Sequence, residues 1–284
     1  MSMKLLVPIA TYPDACPKSG LGNLYGLSAM LGFQITAMIH EVDIPPVHSA
    51  LGEVLLRVSE MAAEAEALSR ARAAELGSWS SKRCESLGVE ISVQLVRCRP
   101  EEFADRLLPT ARSHDLTAII LDGSDPRRRQ EAETLIFASG GPVLVCPVEK
   151  AWVPVAEERA ASFKVMVAWD GSRGAARALR DSLPLLERAD TVWIFTVDDD
   201  KPIAPDGVAG AQAFLQHHGV LSRHLLQTRG ATPIGDALQA AALEHGADML
   251  VMGAYGRSRI QEFILGGATR SILRDPKLPV LLSH

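Results

Sequence analysis

Aromatic residues are scarce in this 284-residue chain: seven Phe, four Trp and three Tyr make up 5% of it. Apolar residues reach 47%, so a core must be built mainly from Val, Leu, Ile and Ala. No apolar run is long enough to cross a bilayer. The longest, such as LTAIIL at 116–121 and PVLVC at 142–146, are strand-sized. A secretory signal is not expected, because Lys4 is followed by a short apolar stretch and then Pro8. Cysteine is rare as well. Cys16, Cys84, Cys98 and Cys146 show neither metal-ligand nor paired disulfide spacing, which fits a reducing cytoplasm. Positive charge is not in excess: residues 1–150 hold 15 basic and 19 acidic side chains, a net of −4, and the remainder holds 14 and 15, a net of −1. Neither half has the basic surplus that binding a nucleic-acid backbone requires. Arg127, Arg128 and Arg129 form the one dense basic run and read as a solvated helix start. No GxxxxGK followed by Ser or Thr is present, and no GxSxG, so neither a P-loop nor a hydrolase elbow is supported.

What the chain does contain is a repeat. Shifted by 131 positions, residues 88–114 overlay 219–245 without a gap, with seven identities: Gly88/Gly219, Val89/Val220, Leu95/Leu226, Asp105/Asp236, Leu107/Leu238, Ala111/Ala242 and His114/His245. KLLVPIA from Lys4 resembles KVMVAWD from Lys164, and PVLVC from Pro142 resembles PVLLS from Pro279. At about 140 residues each, two halves are large enough to be separate domains. The reading is domains at 1–149 and 164–284, with the Pro-containing segment 150–163 between them.

Within each half, short apolar runs alternate with longer amphipathic ones. In the second half, strands are predicted at Lys164–Trp169, Thr191–Val197, Val220–Gln227, Met249–Gly253 and Pro279–Leu282. Helices are predicted at Ser172–Arg188, Gly207–His217, Pro233–His245 and Gly267–Arg274, with Thr232 as an N-cap before Pro233. The first half repeats the order with a long helix across Glu53–Leu87. Alternating strands and helices imply an α/β fold with a parallel, doubly wound sheet in each half.

The chemistry concentrates between Val251 and Ser271, VMGAYGRSRIQEFILGGATRS. Gly253 and Gly256 follow a buried strand; Gly266, Gly267, Ala268 and Thr269 open the next helix. Glycine at a strand exit lets backbone approach a ligand closely. The helix start offers unpaired amides and the positive end of a dipole, an arrangement suited to phosphate. Arg257, Arg259 and Arg270 add local positive charge. Asp170 ends the first strand of the same half. In an open parallel sheet, ligands bind at the carboxyl ends of strands where winding reverses. If the first and fourth strands flank that point, Asp170 faces Gly253, with the carboxylate accepting from a base amine or ribose hydroxyls.

Asp170-Gly171-Ser172 after strand one, with Gly253-x2-Gly256-x9-Gly266 after strand four, resembles the universal stress protein family. The resemblance covers essentially the whole chain. It implies two tandem Rossmann-like domains of the adenine nucleotide alpha hydrolase-like type, each a five-stranded parallel sheet. It further implies an intrachain domain pair, often along the last strand, and leaves a homodimer open. ATP-binding members use the glycine pattern for phosphates. Carried over, Ala168, Asp170 and Val197 line the base and ribose end, while Met252, Gly253, Gly256, Gly266, Gly267, Ala268 and Thr269 line the phosphate end. One departure matters: ATP-binding members usually carry Ser or Thr directly after the third glycine, where this chain has Gly267. The implied protein is a cytoplasmic stress-response or signalling module binding ATP or a related adenine nucleotide, with Mg²⁺ accompanying it. It is expected to bind rather than catalyse, since no residue stands out as a base to activate water. A nucleotide-free interaction scaffold and a slow ATPase are the rivals.

The first half is expected to be degenerate. The 131-residue shift extends to place Asp122 opposite Gly253 and Asp125 opposite Gly256, carboxylates where phosphates would approach, and no long glycine spacing fits the shorter loop. Its first strand ends in Ala10-Thr11-Tyr12-Pro13, with no counterpart of Asp170. Gly20, Gly22 and Gly26 miss the dinucleotide-binding spacing by one residue and read as a flexible loop and helix start. Two further polar clusters are read as solvated or capping groups rather than metal sites: His217, His218 and His224, and His40, Glu41, Asp43 and His48. Asp198, Asp199 and Asp200 read as a solvated acidic turn, and Cys146 as a packing residue.

Overall fold

In the computed structural model the described residues are 2–45, 58–148, 162–200, 203–204, 206–254 and 266–284. The chain divides into two compact units, Met1–Ala118 and Ile119–His284.

The first unit runs β1 (Met3–Ile9), α1 (Lys18–Leu31), β2 (Phe33–Val42), α2 (Val58–Ser86), β3 (Ile91–Cys98), a 3-10 turn (Pro100–Glu102), α3 (Phe103–Ala111) and the start of β4 (Leu116–Leu121), the strand in which the division falls. Its strands lie parallel in the order β3-β2-β1-β4. The second unit continues with α4 (Pro126–Ala138), β5 (Val143–Pro147), β6 (Lys164–Ala168), α5 (Arg173–Asp181), α6 (Leu183–Leu186), β7 (Thr191–Val197), α7 (Gly207–His217), β8 (Ser222–Gln227), α8 (Ile234–Glu244), β9 (Met249–Gly253), α9 (Gly267–Arg274) and β10 (Val280–Ser283). Its order is β5-β10-β9-β6-β7-β8. The described pairings there are parallel except β5 with β10, which is antiparallel, Val145 opposite Val280.

The apolar runs decide which strands are central. β4, β5 and β10 are buried at every position, and β9 at all but Gly253. The edge strands β3 and β8 carry polar side chains on both faces and stay largely exposed.

The repeat is visible in the hydrogen bonding of each unit. Asp115 Oδ2 accepts from the Lys4 amide at 2.7 Å, and Asp248 Oδ2 accepts from the Lys164 amide at 2.9 Å. Each carboxylate ties the head of the fourth strand to the head of the first. Strand register then fixes the equivalence: Leu5 faces Leu116, as Val165 faces Met249. This corrects the extended 131-residue shift, because Gly246 and Ala247 are extra between helix and strand in the second half. In the strands the offset is two larger, so Ile120, not Asp122, corresponds to Gly253.

Other expectations shift locally. Ser172–Arg188 is two helices, α5 and α6, because Pro184 has no amide to donate and the chain restarts at Ser182. α8 begins at Ile234 with extended Pro233 as its cap; Thr232 is not the N-cap. β8 begins at Ser222 rather than Val220. Gly20, Gly22 and Gly26 lie inside α1, not in a loop. There Gly22 faces Trp79 of α2, and Tyr25, its ring tilted 33° to Trp79 with centroids 6.0 Å apart, donates to Ser80 Oγ at 2.8 Å. The connector at 150–161, His48 and the first residues of the helix predicted from Glu53 lie outside the described residues.

α4 shows how a helix start can satisfy itself. Asp122 Oδ1 accepts from the Ser124 amide and Asp125 Oδ1 from the Arg127 amide, each at 2.8 Å. Burial opposes ionisation of Asp122, but hydrogen bonds from the Ser124 and Asp125 amides and the Ser124 hydroxyl outweigh it and hold its carboxyl below the usual range. Gly123, at φ 80°, carries the turn against α9; a Cβ there would stand 1.6 Å from the Arg274 carbonyl oxygen. The basic triple is not wholly solvated. Arg128 folds inward to Glu131 at 2.7 Å, their side chains 13% and 11% exposed. Asp125→Ala is expected to cost about 1 kcal/mol as the cap is lost. Thermal unfolding checks this: a Tm within error of the parent would mean the cap contributes nothing.

Candidate functional site

Winding reverses between β6 and β9. From β6 the chain proceeds through α5 to β7 on one side, while β9 lies on the other. Val165, Met166 and Val167 of β6 face Met249, Leu250 and Val251 of β9. The two strands therefore end together, Ala168 beside Met252, with Asp170 and Gly253 at the same edge of the sheet. A crevice of this kind is where open parallel sheets hold ligands.

Ala168 and Met252 are buried, as is Val197 at the end of β7. Asp170 is half-buried, and its Oδ1 accepts from the Ser172 amide at 3.0 Å. It does not cap α5; that cap is Ser172, whose Oγ accepts from the Ala175 amide at 3.2 Å. Asp170 thus shapes the turn that carries strand into helix. Gly171 at φ 70° completes that turn.

Gly253 has a packing reason to be glycine. A Cβ there would stand 2.4 Å from Gly174 C, 2.7 Å from Ala175 N and 2.8 Å from Gly174 O. The first turn of α5 rests directly on the strand exit. That contact keeps the Asp170 turn and the end of β9 at a set spacing.

α9 returns from the carboxyl edge, so its amide end lies at the edge where β9 stops. Gly266 is its N-cap in extended conformation and has no side chain of its own to cap it. Gly267 is exposed, with no described residue within 4 Å of where a Cβ would be. Ala268 is half-buried, and Thr269 is 1% exposed. The helix is pressed onto α8: a Cβ on Gly235 would stand 2.6 Å from the Ala268 oxygen, and the Ser271 hydroxyl donates to Asp236. Gly256, with Arg257, Arg259 and the whole 255–265 segment, lies outside the described residues.

Residues 162–284 match the sequence model described as the universal stress protein family. The second half of this chain is a universal stress protein domain. A universal stress protein from Archaeoglobus fulgidus DSM 4304 is similar in structure over 100% of this chain and 96% of its own, at 17% identity and a TM-score of 0.70. A functionally unknown protein from Pseudomonas aeruginosa PAO1 is similar over 98% of this chain and 92% of its own, at 12% identity and a TM-score of 0.56. At such identities the shared property is the fold, here a tandem α/β arrangement along the full chain.

Against the universal stress protein domain, the first unit closes its own strand ends with side chains. Ala10 stands where β6 leads to Asp170. The buried Thr11 donates to the His40 carbonyl at 2.6 Å and meets Ser69 Oγ of α2 at 2.7 Å; Ser69 also accepts from the Val42 amide. Arg72 Nη1, one turn further along α2, donates to the carbonyls of Thr11 and Pro13 at 2.9 and 2.6 Å. The exits of β1 and β2 are thus sealed by α2. Nothing in the spacing of α2 announced this; buried Ser69 within an Ala-rich helix was the available sign.

The remaining polar clusters have structural partners. His40 is buried, stacked on Phe103 at 4.5 Å and bonded through Nε2 to the Cys98 carbonyl. Asp43 pairs with Arg97. His224 Nε2 meets Thr196 Oγ1 at 2.7 Å. Asp199 accepts from the amides of Arg229 and Gly230, which holds its carboxyl below the usual range. Among the described residues no group of His, Cys, Asp and Glu could hold a metal ion. Burial pushes the Cys146 thiol up to about 12, so it packs as a small apolar group.

Proposed function

We propose that residues 164–284 bind an adenine nucleotide, ATP or a close relative, as a soluble cytoplasmic stress-response or signalling module. The observation that carries this reading is the reversal between β6 and β9, which gathers Asp170, Gly253 and the glycine-capped amide end of α9 at one edge. Ala168, Val197 and Met252 form the apolar floor for a base, and Asp170 takes the ribose. Gly253, Gly256, Gly266, Gly267 and Ala268 offer backbone to the phosphates and their Mg²⁺, with Thr269 included on the family resemblance. The first half acts as a structural partner, its strand exits closed by α2, the turn before α4 bonded to Asp122 and the Arg127 amide of α4 to Asp125. The module works by binding: nucleotide alters the loop between Gly253 and Gly266 and so its association with partners or with a second copy.

A second reading, a nucleotide-free scaffold, draws on a specific observation. The glycine character of Gly253 and Gly235 is already explained by close backbone packing against α5 and α9. Calorimetric titration with ATP and Mg²⁺ separates the two. Saturable heat is expected, and Asp170→Asn, which keeps an acceptor for the Ser172 amide, should weaken it about tenfold or more through loss of a charged hydrogen bond. No heat and no thermal stabilisation at about 1 mM ATP would favour the scaffold, since adenine-nucleotide sites of any consequence are half-filled below that concentration.

A further inference from the structure

Among the described residues a cavity lies between α5 and α7, with Trp169, the residue after β6, in its wall. Its volume is about 210 Å³, and its wall is formed by Trp169, Ala176, Leu179, Arg180, Gly210 and Phe214, with Gly207 and Ala211 completing it. Gly207, Gly210, Ala211 and Phe214 are spaced three, four and seven residues apart, so one face of α7 presents two bare positions beside a ring. Glycine inside a helix is unfavourable relative to alanine, and here it holds space open: no described residue lies within 4 Å of a Cβ on Gly210.

Three features describe an occupant. Two aromatic rings and the aliphatic side chains of Ala176, Leu179 and Ala211 suit a flat apolar body. A dry cavity of about 150 Å³ accepts benzene, so this one admits a single substituted ring. Arg180 supplies the charge: its guanidinium lies 5.8 Å from the Phe214 ring centroid and makes no ion pair among the described residues. The third feature is Trp169 itself. Its indole N–H is closed off from water and has no hydrogen-bond partner among the described residues, a state that folded proteins rarely leave uncompensated. The position over that nitrogen is Gly207, where a Cβ would stand 3.9 Å away and none is present.

We propose that the α5–α7 cavity is a binding site for a small aromatic monocarboxylate, its ring against Trp169 and Phe214 and its carboxylate on Arg180. The site shares no residue with the nucleotide crevice proposed above, and it stands whether or not the crevice takes ATP. Benzoate is the probe, read by the indole N–H resonances of ¹⁵N-labelled full-length protein, with the Trp169 signal assigned by its loss in Trp169→Phe. The Trp169 resonance should shift saturably with benzoate, and benzyl alcohol, the uncharged analogue, should bind about tenfold or more weakly. Arg180→Gln should abolish that preference. Gly210→Leu, which adds a good helix former into open space, should abolish binding of both while the protein stays folded. The proposal is overturned if no saturable shift is seen up to about 10 mM benzoate, or if Gly210→Leu binds normally. It is equally overturned if ATP displaces benzoate while Arg180→Gln leaves the preference intact, which would put the ligand in the crevice.

Discussion

Gly253→Ala is expected to destabilise the second unit by about 3 kcal/mol, the upper part of the range for overpacking. One methyl group does this because the atoms it meets, Gly174 C at 2.4 Å and Ala175 N at 2.7 Å, are backbone. A side chain could swing aside; the first turn of a helix moves only as a body. α5 would have to lift from β9, taking the Asp170 turn and the Ser172 cap with it. The reverse substitution on the same contact gives the control. A Cβ on Gly174 meets Ala254 O and Gly253 Cα at 3.6 Å, ordinary contact distances. Gly174→Ala should therefore be neutral or stabilise by up to about 1 kcal/mol, from helix propensity alone. Urea unfolding with unchanged slope would read both. Equal midpoints for the two variants would show that the close approach of α5 to β9 is not what requires glycine at 253.

This contact changes what a charge test at Gly253 can mean. Any side chain there disturbs the fold before its charge matters, so loss of nucleotide binding in Gly253→Asp would not identify a phosphate seat. From the sequence, a glycine at this strand exit reads as room for a ligand. The structure assigns that room to α5, and pattern alone could not distinguish the two, because both require the same missing Cβ.

Much of the architecture was legible for a simple reason. Strands buried on both faces are written as uninterrupted apolar runs, and β7, β9, α7 and α9 stand at the predicted boundaries. Elements that depend on one residue were harder. Pro184 splits a helix whose apolar period runs straight through it, and the extended Pro233 delays α8 by one residue. The match between halves also carried a trap. Helices α3 and α8 align at 131 residues, but Gly246 and Ala247 lengthen the turn that follows, and strand register moves Asp122 past the position of Gly253. An ungapped shift cannot sense a turn of different length. The sealing of the first unit by Ser69 and Arg72 was hidden for another reason: it joins residues about 60 positions apart through hydrogen bonds that leave no period in the sequence. The acidic groups at 122 and 125 were noticed, yet their role is to satisfy amides of their own turn rather than to face a ligand.

Gly267 is where the phosphate reading can be tested without that interference. It is exposed, occupies the first turn of α9, and has no described residue within 4 Å of where a Cβ would go. Gly267→Asp is expected to act in opposite directions on fold and ligand. A carboxylate in the first helical turn interacts favourably with the helix dipole, about 0.3–1 kcal/mol, so thermal stability should hold or rise. The same charge within about 4 Å of a phosphate repels it by roughly 1 kcal/mol in water and roughly 4 kcal/mol near a protein surface, so ATP affinity should fall between about fivefold and several hundredfold. Gly267→Ser works the other way. It supplies the hydroxyl that ATP-binding universal stress proteins usually carry here, and one neutral hydrogen bond should tighten ATP by about threefold to tenfold. Paired calorimetry and melting curves read the four quantities together. A stable Gly267→Asp protein that binds ATP as tightly as the parent would mean the amide end of α9 holds no phosphate. A general loss of stability in both variants would instead mean that position 267 is not the open site its surroundings show. Only the combination of a firmer fold, a weaker aspartate variant and a tighter serine variant agrees with phosphate resting on backbone amides at that helix start.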